Sequence, residues 1–312
     1  MMATTDAAPL TSVTAPTEGI RRKSRTNFQL ARQRFFRQRL AVVGLVIVIA
    51  FLLCAIFAPL LAPTGYAAAN LMDANKFPSR EFPFGTDTIG HNMLSRVIFG
   101  IRTSMLVAFS AVGLACLIGI PLGLAAGLKG GWLDFIVLRI VEIMTALPGI
   151  LFAIFLMSVL SSGAFDHILV GGQVTNVVVV IAITSWVPLC RLMRAQILQL
   201  REQEYVTAAR SIGASEYRVA VTHLLPNAIP PMIVAITLGI PAAIFAEAGL
   251  SFLGIGINEP VPSLGKMVSD SRQYIQLYWH LGLFPSLAIA LAVLGFAFLG
   301  DGLRDALDPR QI

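Results

Sequence analysis

The residues of this sequence able to do chemistry are few, and their spacing excludes most of it. His91, His167, His223 and His280 stand singly, so each reads as a surface or interfacial histidine with no partner for metal binding or nucleophilic catalysis. Cys54, Cys116 and Cys190 lie in apolar runs, are odd in number and lack metal-ligand spacing, which makes them small core hydrophobes. No glycine-rich loop ending in Lys-Ser or Lys-Thr occurs, so the chain does not itself bind and hydrolyse ATP by that route. What remains is two acids inside apolar runs, each needing a reason if those runs cross a bilayer. Glu142 has Arg139 three residues before it, an i,i+3 pair able to neutralise it near one membrane surface. Glu247 has no basic residue within a turn. It must face the protein interior or a watery cavity, be protonated, or find a partner on another helix or subunit.

The elements that hold these residues are membrane spans. Hydrophobic residues make up 56% of the 312, charged residues 13%, and the mean hydropathy is +0.77. That is a polytopic membrane protein. A span needs roughly 20 mostly apolar residues, and candidate runs cover residues 40–62, 104–128, 135–160, 175–192, 228–257 and 281–299. Placing the N-terminus inside puts Arg21, Arg22, Lys23, Arg25, Arg32, Arg34, Arg37, Arg39, Lys129, Arg139, Arg191, Arg194, Arg201, Arg210, Arg218, Arg304 and Arg310 on the cytoplasmic side. Only Lys76, Arg80, Arg96, Arg102, Lys266 and Arg272 then lie outside, as the positive-inside bias requires. The net charge of +6 is therefore topology and lipid contact, and a nucleic-acid partner is excluded because the basic residues flank spans.

Two units follow. Residues 1–39 form a cytoplasmic N-terminal segment: residues 1–19 are rich in Ala, Thr and Pro without apolar period, which predicts disorder, and residues 21–39 are a basic amphipathic stretch suited to anionic lipid headgroups. Residues 40–312 form the transmembrane domain. Its first run, residues 40–62, exceeds the roughly 7–15 residues of a signal-peptide core and reads as a retained anchor. Residues 64–102 lie outside, and their second half predicts an interfacial helix capped by Thr86 and Asp87, with Gly90, Leu94, Val97, Ile98 and Ile101 on one face. Gly119, Gly123 and Gly127 repeat at four-residue spacing, which lets helix backbones approach closely in lipid. Pro121 and Pro148 predict bends.

The cytoplasmic stretch 194–227, RAQILQLREQEYVTAARSIGASEYRVAVTHLLPN, is polar between two apolar runs yet patterned. Tyr205, Ala208, Ala209 and Ile212 take i, i+3, i+4, i+7 positions, and Tyr217, Ala220, Val221 and Leu224 repeat them. Two short helices result. Gly213 ends the first, Ser215 and Glu216 start the second, and Pro226 is expected to stop it. The alanines leave an apolar face suited to a partner's backbone. An ordinary amphipathic hairpin would share this pattern.

This loop resembles the EAA loop of membrane subunits in ATP-binding-cassette importers, with Ala208, Ala209, Gly213, Leu225 and Pro226 at the matching positions and Thr207 and His223 departing from the pattern. Glu204, Tyr205, Val206 and Arg210 are similar to the peptide and nickel branch of that family. So are Gly85, Thr86, Asp87, Gly90, Ser95, Arg96, Gly100 and Arg102, although His91 and Asn92 replace an Arg-Asp pair. The same branch is resembled by Glu247, Ala248, Leu250, Ser251, Phe252, Leu253, Gly254 and Gly256, then Pro262, Ser263 and Gly265, with Leu264 in the place of a Trp; Gly302, Asp305, Asp308 and Pro309 form a family-like tail.

The resemblance implies an all-α polytopic permease of type I importer architecture, with six transmembrane helices and both termini cytoplasmic, in a bacterial plasma membrane. It implies a non-catalytic subunit translocating dipeptides or oligopeptides by alternating access. Its partners would be a second homologous permease, two ATPase subunits or one two-domain ATPase, which bind the ATP and Mg, an extracytoplasmic substrate-binding protein, and membrane lipid. The chain itself would carry no cofactor. Glu204, Tyr205, Ala208, Ala209, Arg210, Gly213, Ala214, Leu225 and Pro226 would couple to the ATPase, and Glu247 and Ser251 are expected on the pathway or at an intersubunit contact. A secondary transporter would also need six or more spans, but no internal repeat relates residues 40–160 to 175–299.

Overall fold

A computed structural model describes residues 27–162 and 172–307. The expectations placed on residues 1–26, including the disordered start and Arg21, Arg22, Lys23 and Arg25, lie outside the described residues, as do His167, Asp308, Pro309 and Arg310. The described residues are helical throughout apart from turns and two isolated bridges. Among the described residues five helices are long and apolar enough to span a bilayer, six if a pair bent by 96° counts as one broken span.

The chain starts with α1 (Asn27–Arg37), α2 (Arg39–Ile56) and the short α3 (Ala58–Leu61). Helix α1 begins the basic stretch's amphipathic helix, and its C-terminal end docks on the last helix, where Phe35, Ala41 and Ala306 are buried together and Gln38 Nε2 donates to Asp305 Oδ2 at 2.8 Å. After a single turn at Leu71–Asp73 comes α4 (Met93–Lys129). This overturns the separate outer helix capped by Thr86 and Asp87. The segment from Thr86 is instead a turn, in which Asp87 Oδ1 accepts from the backbone of Ile89 (3.0 Å) and His91 (2.8 Å). Gly90 there has φ +86° and lies so close to Asn70 O that a Cβ would sit 1.9 Å from it, so no helix can pass through. The true N-cap is Asn92, whose Oδ1 accepts from Leu94 N (3.0 Å) and Ser95 N (3.3 Å). Because that cap is buried, Asn92→Ala is expected to lower stability by about 1–2 kcal/mol, visible as earlier thermal unfolding in detergent, with Asn92→Asp close to wild type.

Helix α4 pairs along its length with α7 (Gly172–Leu200). At the glycine stripe an added Cβ would stand 2.6 Å from Trp186 O at Gly119, 2.4 Å from Cys190 O at Gly123 and 2.8 Å from Ile197 Cβ at Gly127. The predicted small-residue packing is thus this contact. Between them the third span is broken: α5 (Gly131–Ala146) and α6 (Gly149–Leu160) meet at 96°. Leu147 is extended, as a residue before proline prefers, and Pro148 takes the N-cap position of α6.

The loop after α7 then carries α8 (Glu204–Ser211) and α9 (Glu216–Val219), and α10 (Leu225–Phe252) follows. Pro226 does not stop the second loop helix. A π-helical turn at Ala220–Leu224, in which Leu225 N–H reaches back five residues to Ala220 O, joins α9 to α10 in one rod from Glu216 to Phe252. The wider turn accommodates a proline that has no N–H to give. The fifth span accordingly ends at Phe252, short of residue 257, and Gly254 at φ +80° turns the chain back. Then come α11 (Leu264–Ser271) and α12 (His280–Leu307), which packs beside α2 and α10.

Candidate functional site

The loop between α7 and α10 is built on the bundle. Val206, Ala209, Val219 and Leu224 are buried with Trp186, Met193 and Ile197 of α7 and Ala228 of α10, so the loop shares a core with two spans. Helix α8 ends as the sequence predicts: Gly213 has φ +83°, its N–H donates to Arg210 O (3.0 Å), and Ala214 N–H donates to Ala209 O (3.1 Å). Together these make a Schellman closure. Ser215 Oγ caps α9 by accepting from Arg218 N at 3.4 Å. Arg210 crosses between the helices to grip Glu216 with two contacts of 3.0 Å, Nε to Oε1 and Nη2 to Oε2. The fork fixes the angle of the helix pair even though an exposed ion pair adds only about 0–1 kcal/mol.

The faces differ from the periodicity. Ala209 points inward, whereas Ala208, Tyr205, Ile212 and Tyr217 are exposed, Ile212 to 87% and Tyr217 to 79%. Val206, which the expected apolar face leaves out, is the fully buried residue of α8. Glu204 is exposed in the first turn, Leu225 and Ala214 are half-buried, and Pro226 is exposed beside Asn227, whose Nδ2 donates to His223 O (2.6 Å) and lies 3.4 Å from Tyr205 Oη. Thr207, in the place of the family Glu, is exposed.

Arg194 adds a tie the sequence did not reveal, donating Nε to Asp134 Oδ1 (2.5 Å) and Nη2 to Asp134 Oδ2 (2.6 Å). It joins α7, just before the loop, to the start of α5. Nothing in the separation of sixty residues signals that pairing. Arg139 does bond Glu142, at 2.8 Å, with both side chains exposed.

On the outer side His91 and His280 are buried, contrary to the surface placement expected of single histidines, and His223 is half-buried. His91 Nδ1 lies 2.8 Å from Asp87 Oδ2, and buried Arg96 bonds the same carboxylate at 2.9 Å and also Glu259. The His91 and Asn92 departures therefore keep structural work: one meets Asp87, the other caps α4. His280 packs against Phe77 and Trp279, with Nε2 3.4 Å from Thr86 O.

Glu247 and Ser251 are enclosed in this chain's own bundle, each 0% exposed. Ser104 Oγ donates to Glu247 Oε2 (2.8 Å), and Ser251 Oγ (2.9 Å) and Ser263 Oγ (2.7 Å) donate to Oε1. The partners of the acid are three hydroxyls, one on its own helix and two on other elements.

Residues 119–312 match the family described as binding-protein-dependent transport system inner membrane component, and residues 26–78 match the N-terminal TM domain of oligopeptide transport permease C. The chain belongs to the first of these families. It is 44% identical over 275 residues to the dipeptide transport system permease protein DppC of Alkalihalophilus pseudofirmus, covering 88% of this chain and 87% of that one. To the oligopeptide transport system permease protein OppC of Bacillus subtilis it is 40% identical, covering 94% and 93%. The glutathione transport system permease protein GsiD of Pectobacterium atrosepticum is 38% identical, covering 93% and 94%. Among solved structures, an inward-facing form of the MetNI methionine ABC transporter matches with a TM-score of 0.54 at 20% identity, covering 69% of this chain and 98% of that chain, a likeness of fold. This is a multi-pass, non-catalytic permease of the ABC importer class and of its peptide-transport branch.

Proposed function

We propose that this permease moves dipeptides or oligopeptides inward across the bacterial plasma membrane by alternating access, driven by separate ATPase subunits that dock on the loop of α8 and α9. The observation that carries the proposal is the exposed face of Tyr205, Ala208, Ile212 and Tyr217, held rigidly on the cytoplasmic side of a chain with no ATP-binding loop of its own. ATP and Mg belong to the partner. Their binding moves the permease only through differential affinity for its inward and outward states, so a contact that transmits force must be stiff. The Schellman closure at Gly213, the Arg210–Glu216 fork and the shared core with α7 and α10 supply that stiffness. A second, homologous permease completes the pathway, an extracytoplasmic binding protein delivers substrate, and both termini lie in the cytoplasm, where the basic residues of α1 such as Arg32 and Arg37 face lipid headgroups.

The test is a gentle-detergent pull-down of the tagged chain from its native membrane, with co-purifying proteins identified by mass spectrometry. Recovery of a Walker-motif ATPase and a second permease in comparable amounts is expected, with uptake of a radiolabelled dipeptide or tetrapeptide by the reconstituted complex. Recovery of the chain alone in a transport-active state would overturn the proposal.

A further inference from the structure

Two segments six residues apart, Glu247 to Gly256 and Pro262 to Gly265, fold onto a single carboxyl. Glu247 receives hydroxyls from α4 (Ser104), from its own helix α10 (Ser251) and from the N-cap of α11 (Ser263). Ser251 Oγ in turn accepts from Ile257 N–H at 3.0 Å, which pins the turn that follows α10. The glycines make the approach possible: a Cβ at Gly265 would stand 2.1 Å from Ala248 O, and one at Gly256 would stand 2.5 Å from Ser251 Oγ. Leu264 then seats against Gly100 of α4, where a Cβ would meet it at 2.9 Å.

A buried acid with no cation beside it is a poor way to add stability, since an apolar side chain of similar size would cost less to bury. Hydrogen bonds differ from apolar packing in fixing direction. Three of them from three elements fix where α11 and residues 253–263 sit relative to α4 and α10. Helix α10 starts at the cytoplasmic loop, and Glu247 lies 22 residues beyond Leu225, about 33 Å at 1.5 Å per residue.

We propose that Glu247 is a positioning residue: through Ser104, Ser251 and Ser263 it clamps the outer segment 253–271 to α4 and α10. A displacement of α10 begun at the cytoplasmic loop then reaches the outer face as movement of one body. The mechanical part rests on the coupling role proposed for the loop; the clamp rests on the hydrogen bonds alone.

The test uses the whole complex reconstituted in lipid nanodiscs and vesicles, comparing wild type with Glu247→Gln and Glu247→Leu. Amide hydrogen exchange, ATP hydrolysis and uptake of a radiolabelled dipeptide are measured. A glutamine can still accept from Ser251 and Ser263 and donate to the Ser104 oxygen, so Glu247→Gln is expected to keep exchange and uptake within about threefold of wild type. Leucine matches the bulk without the bonds. It is expected to speed exchange across 253–271 by about tenfold or more and to cut uptake similarly, with ATPase subunits still bound. Should Glu247→Leu fail to insert, Ser263→Ala removes one of the three bonds, and exchange faster by several-fold, confined to that segment, is expected. Wild-type exchange in Glu247→Leu, or in Ser263→Ala where that variant decides, would overturn the clamp. A Gln variant as defective as the Leu variant would also do so, because the charge would then matter more than the bonds. Faster exchange with undiminished uptake and hydrolysis would overturn the positioning role. If the wild-type complex does not take up the dipeptide, the substrate proposal fails on its own, and exchange with ATP hydrolysis still decides the clamp.

Discussion

Ile212→Lys is expected to reduce ATP-driven uptake by about thirtyfold or more, the effect of losing a contact of about 2 kcal/mol at the centre of an interface. Ile212 is 87% exposed at the C-terminal end of α8, so its apolar surface does nothing for the isolated chain. A cation at a helix C-terminus is favourable, and Ile212 stands at a cap with nothing packed over it, so the loop itself should stay folded. The variant should insert normally, keep the second permease in a pull-down and lose the ATPase. Uptake and ATPase recovery at wild-type levels would show that this face is not the contact. The side chains chosen matter. Ala209→Glu, suggested by periodicity, would drive an acid into the core that the loop shares with α7, and its failure would report misfolding as readily as lost docking. Gly213→Trp has open space around its Cβ but must adopt φ +83°, so strain and lost contact would be mixed. Ala208, exposed one position earlier than Ala209, is the cleaner alanine to alter.

Gly123→Leu should have the largest effect on folding. Its Cβ alone would be 2.4 Å from Cys190 O and 2.9 Å from Met193 Cβ, so α4 and α7 must separate along the most extensive helix contact among the described residues. Overpacking at a backbone contact of this kind costs about 3 kcal/mol or more. With roughly 2–4 °C per kcal/mol, an apparent melting temperature lower by about 10 °C is expected, together with loss of a monodisperse peak in detergent. Gly113→Leu is the control, because nothing lies within 4 Å of that position and the new side chain would meet lipid. Equal behaviour of the two variants would refute the close-packing account.

Single-helix features were legible because they depend on nearby residues. The spans follow from runs of apolar residues, the end of α8 from Gly213, and the start of α9 from Ser215. Each needs only a window of some twenty residues, within which backbone hydrogen bonding and transfer to lipid are settled locally. Family motifs pointed to the permease family, which the relatives show.

Relations between distant segments were not legible. Periodicity names an apolar face without saying what covers it, so Tyr205 and Ile212 group with Ala209, and Tyr217 with Ala220, although the bundle buries Val206, Ala209 and Ala220 and leaves the other three exposed. Pro226 reads as a stop until a π-turn is seen to absorb it, and Asp87 reads as a helix cap until Gly90 closes against Asn70. The carboxyl of Glu247 shows the same limit most clearly. The sequence requires that this acid be satisfied, because hydrocarbon cannot solvate it, but the three serines that satisfy it are 143, 4 and 16 residues away. Burial cost is a property of one residue and its surroundings in the chain, whereas the donors that offset it are chosen by how helices pack.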